Sequence, residues 1–303
     1  PKAFRGHIDA IQRNAITSWT LLEPKPEIIL LGDDEGTAEI ARELHLKHIP
    51  EVERNEYGTP LLSSLFELAQ RMGTGPLFAY INSDIILMSD FMQAVQRVPF
   101  RRFMLTGQRW NLDLGEPIGF KPGWESQLRD RVCQSGNLEG PQAMDYFVFT
   151  RDTYREIPRF AIGRTAWDNW LLCEAFRLNA PVIDATQSIA IVHQNHDYSH
   201  HPEGTRGIWE GPEAQQNIKL LGGRHYAFFM LDLANWLMTD QALKRSQWTW
   251  QRLDRYLDMM PLARPQMKVW ATPLLKLLRM GNPIPRVISK VKKIPAKIVS
   301  RLN

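Results

Sequence analysis

Several acidic residues and one pair of histidines stand out in this 303-residue sequence for the chemistry their settings allow. Asp84 ends the triplet Asn82-Ser83-Asp84, directly after the apolar run Leu77–Ile81. A carboxylate at the end of a buried strand can ligate a hard cation such as Mg²⁺ or Mn²⁺. The same triplet is also a favoured way to cap a turn. Asp168 lies between Trp167 and Trp170 at the start of a predicted helix. Indole surface strips water from a neighbouring carboxylate and raises its pKa toward that of a useful general base. The alternative is an ordinary acid at a helix N-terminus, where the macrodipole favours it. His193 and His196 flank Gln194-Asn195, and five of the eight histidines fall between 193 and 225, a stretch with little core character. No cysteine or His-Glu-x-x-His pattern accompanies them, so they are not a zinc motif. Each is either a ligand or a surface histidine, and their local turn decides which faces inward. Asp33-Asp34 and Asp145 complete the acidic set, each bordering an apolar run.

The elements that must position these residues alternate along the chain. Ile8, Ile11, Ala15, Trp19 and Leu22 follow helical spacing, and Pro24 and Pro26 stop that helix. The apolar run 28–31 reads as a buried parallel strand ending at Asp33-Asp34, followed by a helix over 38–44 with Thr37 as its N-cap. A second strand is predicted at 49–52, a helix from Pro60 to about 71, and a third strand at Leu77–Ile81, with Asp84 just beyond it. Ser89 caps the next helix, and 103–106 gives a fourth strand. Eight glycines and prolines between 109 and 141 predict a long loop, in which Trp110 and Trp124 could stack on sugar faces. A strand at Tyr146–Thr150, a helix at 167–178 and strands at 181–184 and 189–193 follow. Residues 194–224 read as loop and the remainder as helix.

Alternation of this kind predicts an α/β fold with a Rossmann-like sheet, mixed but mainly parallel, flanked by helices. Ligands bind beyond the carboxyl ends of such strands, where Asp33-Asp34 and Asp84 fall. A sheet of this type normally opens with a strand ahead of the first helix. Here the sequence begins at Pro1-Lys2-Ala3-Phe4, so that strand is expected to be missing. The organisation expected is a sheet domain over 1–225 and a helical, basic extension over 226–303.

Charge divides along the same line. Ten cations and no acid follow Asp258, while the whole chain nets +4, so residues 1–258 net −6. An acidic body excludes nucleic acid as its partner. Val269, Trp270, Leu274, Leu275, Leu277, Leu278, Val287, Ile288, Val291, Ile294 and Ile298 lie among the tail's cations, with Pro273, Pro283, Pro285 and Pro295 interrupting them. Residues 264–303 therefore read as short amphipathic pieces suited to an anionic membrane surface, or as a helix packed on the body with a solvated basic face. The two cysteines, Cys133 and Cys173, share no motif, and no apolar run approaches the roughly 18 residues of a membrane span. With no signal peptide ahead of the first helix, the expected location is cytoplasmic, peripheral on the inner membrane face if the tail binds lipid.

Three segments together resemble the inverting A-type-fold glycosyltransferases of glycosyltransferase family 2. They are EIILLGDDEGTAEIARE at 27–43, INSDIIL at 81–87 and AWDNWLLCEAFRLNAPVID at 166–184, covering roughly residues 1–200 by order and spacing. The first resembles the family's nucleotide-binding strand and helix, the second sits where the family carries Asp-x-Asp, and the third is similar to its acceptor helix. Asn82 replaces the first carboxylate of Asp-x-Asp, and Trp167 replaces the glutamate usually paired with Asp168.

The resemblance implies a nucleotide-diphosphate sugar as donor and a saccharide or glycolipid as acceptor. It places Mn²⁺ or Mg²⁺ on Asp84, with Asn82 and Ser83 beside it and His193 or His196 completing the metal shell. Asp34 would bind the nucleotide base, with Asp33 near the ribose and Asn55 beneath the nucleotide. Asp145 would contact a sugar, and Asp168 would act as base. Two competing readings share this sheet. One is a sugar-phosphate nucleotidyltransferase, against which the absence of a Gly-x-Gly-Thr-Arg loop counts. The other is a non-catalytic carbohydrate-binding descendant.

Overall fold

The computed structural model describes residues 1–114, 116–196, 204–226 and 231–281. Helix α1 (Gly6–Thr20) buries Ile11, Ala15, Ile16 and Trp19 along one face. Strand β1 (Ile29–Leu31), helix α2 (Thr37–Glu43) and strand β2 (Lys47–Ile49) then form a compact βαβ unit with β1 and β2 parallel. Thr37 is the first residue of α2, not its cap. The cap is Gly36 at φ +87°, where a Cβ would sit 2.5 Å from the Phe4 Cβ. Strand β2 begins two residues earlier than its apolar pattern predicts, because Leu46 folds back onto the end of α2 and Lys47 already bonds to the Ile28 carbonyl.

Helix α3 (Leu62–Met72) leads to β3 (Leu77–Ile81), the short β4 (Ile85–Ile86) and α4 (Ser89–Gln96). Ser89 also lies inside its helix, behind the N-cap Met88, and gives its hydroxyl and amide to the Glu125 carboxylate. Residues 109–141, read as loop, fold into β6 (Arg109–Leu112), α5 (Trp124–Ser135) and β7 (Asn137–Leu138), after β5 (Met104–Thr106). The glycines and prolines break only the stretch before α5, whose single buried pair Leu128 and Val132 is a faint amphipathic signal among charged residues. Trp110 is no sugar platform. It is 3% exposed and packs with Ile86, Leu112 and Val192.

Strand β8 (Tyr146–Thr150), helix α6 (Trp167–Arg177), β9 (Val182–Asp184) and β10 (Ile191–Gln194) follow. Beyond them, 204–221 is helical, as α7 (Gly204–Glu210) and α8 (Pro212–Leu221). Pro212 at the first turn and left-handed Gly222 at the end are start and stop signals that the loop reading passed over. Past residue 225 the chain is not all helix. Strands β11 (Trp236–Met238) and β12 (Leu243–Arg245) precede α9 (Trp250–Ala263) and α10 (Lys268–Gly281).

The result is α/β with mixed sheets flanked by helices. Six strands run in the order β12-β11-β9-β5-β8-β3, and four in the order β4-β10-β6-β7. In the larger sheet β8 is antiparallel to both neighbours, while β5, β9 and β11 are mutually parallel. Since β11 pairs with β9, the sheet draws on residues beyond 225.

Burial makes the charge of Asp184 costly. Asp184, at the end of β9, accepts bonds from the Thr186 amide at 2.9 Å and hydroxyl at 2.6 Å, yet burial and the nearby Asp232 push its pKa up to about 6. A carboxyl raised above its unfolded value of about 3.9 contributes full stability below that value, and loses it as pH rises through about 6. Asp184→Asn keeps an acceptor for Thr186 without the charge. It is expected to stabilise the protein by about 1–2 kcal/mol at pH 7.5 and by nothing below pH 4. Chemical denaturation at the two pH values checks this, and equal effects at both would rule it out.

Candidate metal and catalytic site

Two pairings build the site. Strand β3 ends at Ile81, and the Asn82 carbonyl accepts from the Ile85 amide at 3.1 Å, closing a tight turn that carries Ser83 and Asp84. Strand β10 runs antiparallel to β4 with His193 opposite Ile85, which brings the histidine alongside Asp84. Gln194, fully buried, straps these pieces to α1. Its side-chain amide donates to the Ile11 carbonyl at 2.8 Å and the Asp84 carbonyl at 3.2 Å, and its oxygen accepts from Asn14 at 2.9 Å. The Asn195 amide then bonds to Leu112, and the chain turns so that His196 faces Asp84.

Both histidines face inward. His196 Nε2 is 3.2 Å and His193 Nε2 is 3.8 Å from Asp84 Oδ2. Two ligand atoms about 2.1 Å from one ion stand roughly 3.0–3.5 Å apart at octahedral or tetrahedral angles, so the His196 separation suits a shared cation and the 3.8 Å of His193 lies a few tenths of an ångström beyond that range, within reach of a small side-chain shift. Asp84 Oδ1 is buried without a hydrogen-bond partner among the described residues, which leaves it acceptor capacity. Among the described residues, these three are the group whose donor atoms converge this way. Burial works against the charge of Asp84, but the His196 hydrogen bond, the charge His193 carries once protonated at acid pH, and the Lys2 charge outweigh it and hold the carboxyl well below its usual range. Burial lowers the pKa of His193, with Arg109 adding to the effect against Asp84 and Asp145, and favours the neutral imidazole that a metal requires. Asp197 lies outside the described residues.

A polar network extends from the turn of Asp84 to Asp145, whose charge reaches Asp168. The Asp145 carboxylate accepts from Asn82 Nδ2 at 2.6 Å and from Arg109 Nη1 at 2.6 Å. Arg109 also donates to Asn111, which in turn donates to Glu139. Asn82 is thus a positioning partner of Asp145, and Ser83 donates to Gln12 at 2.9 Å. Asp168 occupies the first turn of α6, whose N-cap Ala166 sits at φ +87°, a costly conformation for a residue with a Cβ. Trp167 packs edge-on against Tyr80 and Phe147, and Trp170 lies against Phe160, so both indoles enter the core and leave Asp168 between them. Burial, with help from the Asp145 charge, pushes its carboxyl up to about 6.

The remaining acids form a second group. Arg54 donates to Asp33 at 2.6 Å and to Asp34 at 3.2 Å. Asn55 is committed elsewhere. Its oxygen accepts from the Tyr57 and Thr59 amides, and its nitrogen donates to Glu213 at 2.7 Å. Arg109 and Gln194 escaped the sequence reading because 109 was assigned to a loop, where no face can be read, and a buried glutamine has no periodic signature.

A scan against models of protein families finds no match, and a search of curated proteins finds none either.

Proposed function

We propose that this protein is a metal-dependent glycosyltransferase that uses a nucleotide-diphosphate sugar. The observation that carries the reading is the convergence of Asp84, His193 and His196 at a strand end, with Asn82 of the same turn bonded to Asp145, whose charge acts on the buried Asp168 carboxyl. The β1-α2-β2 unit beside Asp33-Asp34, and a larger sheet in which β8 runs antiparallel between β5 and β3 while β5, β9 and β11 are parallel, further support an A-type architecture.

Asp84, His193 and His196 would hold a divalent cation, which when bound neutralises charge developing on the diphosphate leaving group. Two imidazoles and one carboxylate rank Mn²⁺ above Mg²⁺, since imidazole suits the softer ion. Asp145, fixed by Arg109 and Asn82, orients the turn and keeps negative potential on Asp168. Asp168 takes the proton of the acceptor hydroxyl on its free carboxylate oxygen. Arg54 holds Asp33 and Asp34 in place beside the nucleotide.

Nucleotide-diphosphate release across a panel of sugar donors tests the proposal. Release is expected with one donor class, higher with Mn²⁺ than with Mg²⁺ and absent with chelator. Pyrophosphate release from a nucleoside triphosphate and a sugar phosphate, or no release with any donor, would overturn it.

A further inference from the structure

The geometry points to α10 as a docking face for an anionic lipid bilayer, an inference independent of the enzyme's chemistry. Helix α10 has two apolar sides. Ala271 and Leu275, four residues apart, are buried in a cluster with Leu253, Leu257 and Met260 of α9. A second stripe at Trp270, Pro273, Leu274 and Leu277, spaced i, i+3, i+4 and i+7, faces away from that contact. Trp270 is 73%, Leu274 45% and Leu277 62% exposed, with Val269 at 73% beside them. Exposed large apolar side chains concentrate in this part of the chain, since seven of the twelve among the described residues lie at or after Trp248. An apolar stripe left in water beside a helix already anchored by its other face calls for a cover.

Charge identifies that cover. Lys268 and Lys276 lie on the flank between the two apolar sides, and no acid occurs anywhere from 259 to 303. Eight further cations stand in that span. A second copy would set cation against cation across a shared α10 face, whereas an anionic headgroup layer pairs with every one of them. Tryptophan and leucine entering the headgroup boundary, with lysines reaching the phosphates, is how an interfacial helix lies in a membrane plane. Among the described residues no helix is long and apolar enough to cross a membrane, so α10 lies on the bilayer. The apolar positions Val287, Ile288, Val291, Ile294 and Ile298 lie outside the described residues.

Full-length protein co-sedimented with phosphatidylcholine vesicles, with and without 30% phosphatidylglycerol, provides the test. Binding is expected only with phosphatidylglycerol, falling steeply from 50 to 500 mM NaCl. The double variant Trp270→Glu/Leu277→Glu keeps every cation and changes only exposed positions, so circular dichroism should be unchanged while vesicle affinity falls about tenfold or more. The isosteric control Leu274→Met should bind like the parent. Unchanged affinity in the double variant would overturn the face, as would equal binding to both vesicle types. So would a lipid-free dimer, seen by sedimentation velocity, that the double variant dissociates.

Discussion

Asp84→Asn is expected to cut Mn²⁺ affinity by about 100-fold or more, because loss of a first ligand exceeds the 10–100-fold typical of losing a ligand's supporting partner. The amide keeps the size of the carboxyl but offers one neutral oxygen, and its nitrogen would face His193 or His196. Donor binding in the presence of Mn²⁺ should disappear with the metal. The fold should survive at a cost. The carboxyl of Asp84 is held below its usual range, so its ionised form contributes stability above the unfolded pKa that is lost as pH falls. Replacing one partner of the His196 bond forfeits about 1–3 kcal/mol. Mn²⁺ titration followed by electron paramagnetic resonance reads the site directly, without substrate, and far-ultraviolet circular dichroism reports the fold. Parent-like Mn²⁺ affinity in a folded Asp84→Asn protein would remove the metal assignment.

How much of this was legible beforehand follows from the range of each signal. The apolar run at 146–150 marks a strand because burial on both faces writes itself into consecutive residues, while those at 28–31 and 77–81 mark strands although they are only partly buried, Leu77 at the sheet edge being exposed. Asp84 was visible as a strand-end acid, and Asp168 as an acid between indoles. The desolvation inferred from Trp167 and Trp170 agrees with the raised carboxyl, although the indoles act by filling the core around it. That both histidines turn inward was not legible. It depends on β10 pairing with β4 across more than 100 residues and on Gln194 fixing the turn that follows. Strand β6 was lost for a related reason. Arg109-Trp110-Asn111-Leu112 alternates polar and apolar over only four residues, and nearby glycines and prolines outweigh so short a pattern. Its polar face nonetheless supplies Arg109, which holds Asp145 alongside its bond from Asn82 of the Asp84 turn.

Asp168→Asn is expected to lower turnover by about 10²–10⁴-fold, the usual worth of a general base, with donor and Mn²⁺ affinity nearly unchanged. The residue lies on α6, outside the Asp84–His193–His196 cluster and coupled to Asp145 by charge, so its loss acts on the acceptor's proton and not on the diphosphate. Unfolding cannot mimic this result. Burial raises the Asp168 carboxyl to about 6, so its charge costs stability above that pH, and a neutral amide should fold at least as well at pH 7.5. The same value gives a pH signature. A base must be deprotonated, so kcat/KM should rise with unit slope up to about pH 6 and then level, and the rise should vanish in Asp168→Asn. Stereochemistry supplies the sharper test. A base that activates the acceptor on the face opposite the departing nucleotide inverts the anomeric centre in one displacement, turning an α-linked donor into a β-linked product. Proton NMR of the first product formed distinguishes the anomers. An α-linked product from an α-linked donor would mean that Asp168 holds the acceptor and does not deprotonate it, and the variant would then raise KM while leaving kcat largely in place.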